Sequence, residues 1–162
     1  MANVVGKRLV VPAIVVSVAV CASLVYSHCQ IPCGIYGDQA RFEMMAENIA
    51  TIEKSMKQIV ELSAQQKPDM NQIVRWVQNK DKHADDTSHI ITYYFMAQRV
   101  KPVEQLETED YQKYVKKLTL LHQMLVYTMK AKQSTDLANV EELRSLLAEF
   151  RTVYFGAAGH KH

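Results

Sequence analysis

No glycine falls between Asp38 and Phe155, and only Pro68 and Pro102 interrupt that span. A stretch this poor in the two residues that break regular structure, and rich in Ala, Leu, Met, Glu, Lys and Gln, is helix-forming composition, because such side chains lose little rotamer freedom in a helix. The apolar spacing agrees. Met45, Ile49, Ile52, Met56 and Ile59 advance by alternate fours and threes, which gathers them on one helix face. Met70, Ile73, Val74 and Val77, then Ala84, Ile91 and Phe95, form a second stripe after Pro68. Tyr111, Tyr114, Leu118, Leu121, Leu125 and Met129 mark a third, and Val140, Leu143, Leu147, Phe150 and Tyr154 a fourth.

The boundaries follow from local chemistry. The residue before a proline is pushed out of the helical region, so helix one is expected to end near Gln66 and helix two just before Pro102. Asp38 can cap the first helix, and Ser134, Thr135 or Asp136 the last. Amphipathic helices on short connections predict an all-α fold, an antiparallel up-down four-helix bundle over about 38–155. "GAAGHKH" at the end reads as a frayed tail. Gln78–His89, "QNKDKHADDTSH", holds a single apolar residue. A core stripe should not turn polar for three turns, so this run is exposed, locally irregular or packed on a polar site. Exposure is the expectation.

The first 27 residues contain no acid and have the parts of an export signal: Lys7 and Arg8, then an apolar run from Leu9 to Ala22, then small residues Val25 and Ser27 before a cut after Ser27. Leu9–Tyr26 is 18 residues long, so an uncleaved membrane anchor is the competing reading; Pro12 and Ser17 within it favour cleavage. The expected organisation is a leader over 1–27, removed by a processing protease, and a domain over 28–162 whose residues 28–36 precede the bundle. With cleavage the protein is exported or lies in an organelle lumen; with the leader retained it is membrane-anchored. Setting Lys7 and Arg8 aside, 17 of the 19 basic residues remain against all 17 acidic ones. A balance of zero leaves no footprint for nucleic acid.

At the foot of the leader stands "HCQIPCGIY", residues 28–36. Pro32 and Gly34 make a regular helix unfavourable there, so the loop is expected to curl and bring the Cys29 and Cys33 thiols together. Three readings compete: a disulfide, which an oxidising compartment permits; tetrahedral zinc, for which His28, Cys29 and Cys33 supply three of four ligands; and a redox metal held partly by backbone nitrogen. Cleavage after Ser27 adds weight to the third. It gives His28 a free α-amine, and that amine, the Cys29 amidate and the two thiolates make an N₂S₂ plane over which the His28 imidazole can rise. Tetragonal nitrogen and thiolate coordination suits Ni(II) or Cu(II).

The stretch "HCQIPCGIYGDQARFE", His28–Glu43, resembles the nickel hook of nickel-containing superoxide dismutase, H-C-x-x-P-C-G-x-Y at the mature N-terminus. His28, Cys29, Pro32, Cys33, Gly34, Tyr36, Gln39-Ala40-Arg41 and Glu43 all coincide. Beyond the hook, "YYF" at 93–95 is similar to the tyrosine-phenylalanine pair of the family's second helix. The resemblance implies a four-helix bundle assembled as a homohexamer, with superoxide as substrate and one nickel ion per subunit. It implies that His28 supplies amine and imidazole, Cys29 amidate and thiolate, and Cys33 the second thiolate. Pro32 would turn the hook, Tyr36 and Tyr94 would line the substrate entrance, and Glu43 would hold the His28 ring by a hydrogen bond. The chain departs from the family in three places. Gln30 stands where an acidic residue is often found, the stretch between Tyr36 and Gln39 is one residue shorter than in bacterial members, and the family's arginine supporting the glutamate from helix two has no clear match among Arg75, Lys80 and Lys82.

The implied chemistry is a Ni(II)/Ni(III) cycle in which thiolates and amidate stabilise the oxidised metal, with Tyr36, ordered water or a hook thiol as proton sources. Other residues read more plainly. His83 and His89 are expected to have no catalytic role, His122 to be a partly buried structural residue, Trp76 and the methionines to be packing, His160 and His162 to lie in the tail, and Cys21 to leave with the leader. A rival function is a leader-anchored helical binding protein pinned by a Cys29–Cys33 disulfide; a weaker one is a nickel or copper carrier.

Overall fold

A computed structural model of the chain describes residues 37–156. The leader and the hook residues His28–Tyr36 therefore lie outside the described residues, as does the tail after Gly156. Four α-helices follow one another: α1 (Asp38–Ser63), α2 (Met70–His89), α3 (Glu109–Gln133) and α4 (Ala138–Phe155). A π-helical segment, Ile90–Arg99, continues α2 directly. Each helix packs on its neighbours in sequence, and α1 also packs on α4. This closes the antiparallel up-down ring that the short connections predict.

The helix ends show which local signals operate. Asp69 caps α2 by accepting from Gln72 N at 3.1 Å. Thr108 caps α3 by accepting from Tyr111 N at 3.2 Å. At the last helix the cap position falls on Leu137, without a side-chain bond, rather than on Ser134, Thr135 or Asp136; Asp136 stands one residue before it and accepts from Ala138 N at 3.0 Å. Asp38 does not cap α1. Gly37 stands in the cap position without a side-chain bond, and the Asp38 carboxylate is used elsewhere. Helix α1 stops at Ser63, a little short of Gln66, and the second helix runs to Arg99 only by widening into the π form, closed by Val100 N donating to Phe95 O at 2.8 Å.

The first and fourth stripes are buried nearly as expected: Met45, Ile49, Ile52 and Met56 on α1, and Val140, Leu143, Leu147 and Phe150 on α4. The second stripe is corrected. Met70, Val74 and Val77 are exposed, and the face of α2 turned inward carries Lys80, Ala84 and Thr87 before Ile90, Ile91, Tyr94 and Phe95. The polar run is thus partly inside the bundle, packed on a polar layer. Ser55 accepts from Asn79 Nδ2 at 3.0 Å, and His83 Nδ1 pairs with Asn48 Oδ1 at 2.7 Å. Burial without such partners would cost about 1–3 kcal/mol for each group. Lys80 is 3% exposed, and its ammonium donates to Ala131 O at 2.8 Å and to Lys132 O, closing the C-terminal end of α3. On α3 the buried residues are Leu120, Leu121, Met124, Thr128 and Ala131, while Met129 and His122 face outward. The expectation of a partly buried His122 is therefore overturned: one position beyond Leu121 turns a side chain by about 100° around the helix.

At the end of the bundle where α1 begins, the core becomes aromatic. Phe42 stands 5.1 Å from Phe95, 5.3 Å from Phe150 and 5.6 Å from Tyr154, centroid to centroid. Such pairs add about 0.5–1.5 kcal/mol each beyond the area they bury. This rigid end is where the chain arrives from the cysteine-bearing segment.

Candidate functional site

Of the residues singled out from the sequence, His28, Cys29, Pro32, Cys33 and Tyr36 lie outside the described residues. Glu43 and Tyr94 lie within them, at the same end of the bundle. Tyr94 comes from the π segment and is buried, and its ring is flanked by two guanidinium groups, Arg41 at 5.0 Å and Arg99 at 4.9 Å from the centroid. Neither charge can be desolvated without compensation, and the face of an aromatic ring supplies part of it.

The Tyr94 hydroxyl donates to Asp38 Oδ1 at 2.6 Å and accepts from Arg99 Nη2 at 2.9 Å. Arg99 Nε stands 2.9 Å from the same carboxylate oxygen. The second oxygen, Asp38 Oδ2, accepts from the Tyr154 hydroxyl at 2.8 Å. One carboxylate at the first turn of α1 therefore collects a phenol from the π segment, a phenol from α4 and a guanidinium. Desolvation, then donation to Asp38, raises the Tyr94 phenol above its ordinary value, and the same two causes in the same order raise Tyr154 further. Both phenols are held neutral. Arg99 is raised as well, chiefly through its bond to Tyr94.

Glu43, one turn further along α1, is exposed and accepts from Gln39 Nε2 at 2.7 Å. Gln39 in turn accepts from Arg151 Nη2 at 2.9 Å. The basic group linked to the glutamate is thus on α4 and acts through an amide. Lys80 is committed to the end of α3, and Lys82 pairs with Asp86 at 2.5 Å. His83 Nδ1 is paired with Asn48 Oδ1, and His89 stacks on Tyr93 at 4.5 Å. Sequence reasoning missed Arg99 and gave Asp38 and Tyr154 only local roles. The hydrogen-bonded pairs join positions 56 and 116 residues apart, which no periodicity can reveal.

Among the described residues, no group of three or more His, Cys, Asp or Glu side chains could hold a metal ion, and no helix is long and apolar enough to cross a membrane. A groove of about 250 Å³ lined by Met56, Lys57, Val60, Glu61, Thr135 and Leu137 lies at the far end of α1, away from Glu43 and Tyr94.

The described residues form an antiparallel four-helix bundle, and the sequence before its first helix carries a histidine and two closely spaced cysteines, residue types that soft metals take as ligands. The chain belongs to the nickel-containing superoxide dismutase family, which it matches over residues 23–157. It is accordingly an oxidoreductase of superoxide that takes nickel. No curated protein and no solved structure matches it.

Proposed function

We propose that dismutation takes place at the hook His28–Tyr36, with nickel bound by the His28 amine and imidazole, the Cys29 amidate and thiolate, and the Cys33 thiolate. The observation that carries this reading is the span of the family match, which begins at residue 23 and takes in both the thiols and all four helices. The absence of any metal-binding cluster among the described residues supports the same assignment. The donor set fits the metal: two soft anionic sulfurs and strong-field nitrogens lower the potential at which nickel passes between Ni(II) and Ni(III), the chemistry the ion supplies when bound.

The protein's own residues do the rest. Pro32 turns the hook. Glu43, tethered through Gln39 to Arg151, is the group that orients the His28 ring. Tyr36 and Tyr94 line the approach and keep it narrow, which suits a two-atom anion and shields the thiolates from larger oxidants. The leader is cut after Ser27 by a processing protease, so the mature enzyme lies outside the compartment of synthesis. Subunits assemble as a homohexamer, the family's arrangement. N-terminal sequencing with metal analysis tests the reading. A chain starting at His28 with about one nickel per subunit is expected. A retained leader without nickel would favour a helical binding protein with a Cys29–Cys33 disulfide. Light scattering showing a fully active monomer would refute the hexamer.

A further inference from the structure

The methionines of the bundle divide into two sets. Met45, Met56 and Met124 are 0% exposed and belong to the core, whereas Met44, Met70, Met96 and Met129 are 43%, 63%, 36% and 53% exposed. The packing duty expected of them all is performed in the core by the first set. An exposed thioether is a soft nucleophile that peroxide converts to a sulfoxide, a polar and chiral group. Dismutation of superoxide yields dioxygen and hydrogen peroxide, so this chain makes such an oxidant as its own product. Met44 has a further feature. Arg41 Nη1 donates to its sulfur at 3.3 Å, across one turn of α1. The same guanidinium lies over the Tyr94 ring, 5.0 Å from the centroid, which keeps it beside the thioether. Met45, the next residue, turns by about 100° around the helix and faces the core.

We propose that Met44 is a modification site for hydrogen peroxide, the enzyme's own product, and that Arg41 directs the oxygen to it. In this step the sulfur lone pair attacks one peroxide oxygen, and the S–O bond forms as the O–O bond breaks. The departing hydroxide takes the proton of the transferred oxygen and leaves as water. Sulfur is oxidised by the electron pair it gives up, and the peroxide is reduced by it. A thioether is a weak acceptor and a sulfoxide oxygen a stronger one. The N–H that touches sulfur before the reaction therefore makes a charge-assisted bond to oxygen after it. Part of that gain is present in the transition state, where negative charge builds on the oxygens beside a cation. Exposure alone ranks Met70 and Met129 ahead of Met44. The guanidinium reverses that order. The inference uses the family's reaction and does not depend on which residues hold nickel.

The test uses the full chain, expressed with its leader and supplied with nickel, as wild type, Arg41→Gln and Arg41→Lys. Each is treated with hydrogen peroxide for timed intervals, and sulfoxide at every methionine is measured by peptide mass spectrometry. In the wild type Met44 should be oxidised first, about fivefold faster than Met70, with Met45, Met56 and Met124 spared. Arg41→Gln should return Met44 to the order that exposure sets, and Arg41→Lys, which keeps the charge, should restore part of the preference. In a second arm the wild type consumes superoxide with and without added catalase. Sulfoxide should accumulate at Met44 and catalase should suppress it. Met70 oxidised ahead of Met44 in the wild type, as when assembly covers Met44, or an unchanged Met44 rate in Arg41→Gln would overturn the proposal. So would superoxide consumption that leaves Met44 unmodified. A wild type that consumes no superoxide would overturn the dismutase assignment and remove the oxidant's source with it, an outcome that the peroxide arm tells apart from a failure at Met44. Should Arg41→Gln fail to fold, Arg41→Lys carries the comparison: a Met44 rate below the wild type is expected, and an equal rate would sink the role given to the guanidinium.

Discussion

Lys80 on α2 donates to the carbonyl oxygen of Ala131 on α3 at 2.8 Å, so part of the C-terminal cap of α3 comes from another helix. Ser134, in the cap position, is extended; its hydroxyl donates to Lys130 O at 3.2 Å and leaves the Ala131 and Lys132 carbonyls to Lys80. A cation at a helix C-terminus is favoured by the backbone dipoles as well as by the bonds it makes. Its aliphatic stem fills the bundle where the polar run of α2 offers little else.

Lys80→Met is expected to keep that stem volume while leaving two carbonyls without a donor. A loss of about 1–3 kcal/mol in unfolding free energy should follow, read as a lower denaturant midpoint. Nickel content should be untouched, because the residue's ammonium is engaged at the end of α3. A neutral substitution would show that water replaces the ammonium without penalty.

The aromatic end makes a second demand. Phe42 touches Phe95, Phe150, Tyr154 and Phe155, with centroids 5.1–5.6 Å away. Phe42→Ala should cost about 3–5 kcal/mol, the range for deleting a buried aromatic side chain whose surroundings relax only in part. Thermal unfolding followed by circular dichroism measures it. A loss under about 1 kcal/mol would mean that the cluster closes over the gap.

The Asp38 carboxylate gives a pH dependence whose sign can be worked out. Tyr154 is held above its ordinary value near about 10, mainly by desolvation and then by donation to Asp38. In that range the folded state keeps a proton the unfolded state releases, so the contribution is full below pH about 10 and is lost as pH rises further. Melting temperatures should fall through this alkaline window in the wild type and fall less steeply in Tyr154→Phe. Parallel slopes in the two proteins would show that the residue does not titrate as described.

Replacing Cys29 or Cys33 with Ser should abolish nickel binding and dismutation while helical content stays close to wild type, since the core described runs from Phe42 to Phe150 and is made by the four helices, the π segment and Val100. Substantial activity in either variant would sink the ligand assignment.

The α-amine of His28 is the subtlest ligand proposed. With Ser27 still attached that nitrogen is an amide, and its deprotonation would add a second anionic nitrogen to the plane. Chains His28–His162 with and without one added Ser, both loaded with nickel, should fold alike. The extended chain should lose nearly all superoxide consumption and its Ni(III) signal should change or vanish. Equal activity would show that the amine is no ligand.

Helix number, the approximate extent of each helix and the hook motif were legible in the chain because each depends on neighbours in sequence. Glycine's absence, the prolines, the three-and-four spacing on α1 and α4, and the order His-Cys-x-x-Pro-Cys are all local patterns. The inward face of α2 was not legible. Its apolar residues Met70, Val74 and Val77 point to solvent and its Lys80 and Thr87 point inward, because the end of α3 and the polar side chains Asn48 and Ser55 sit opposite. A hydrophobic stripe predicts burial only when its partner face is apolar. The partners of Asp38 were equally hidden, since a carboxylate at the start of a helix has a good local use as a cap. Only the tertiary fold, by bringing Tyr94, Arg99 and Tyr154 to the same end of the bundle, gave it bonds stronger than the backbone could offer.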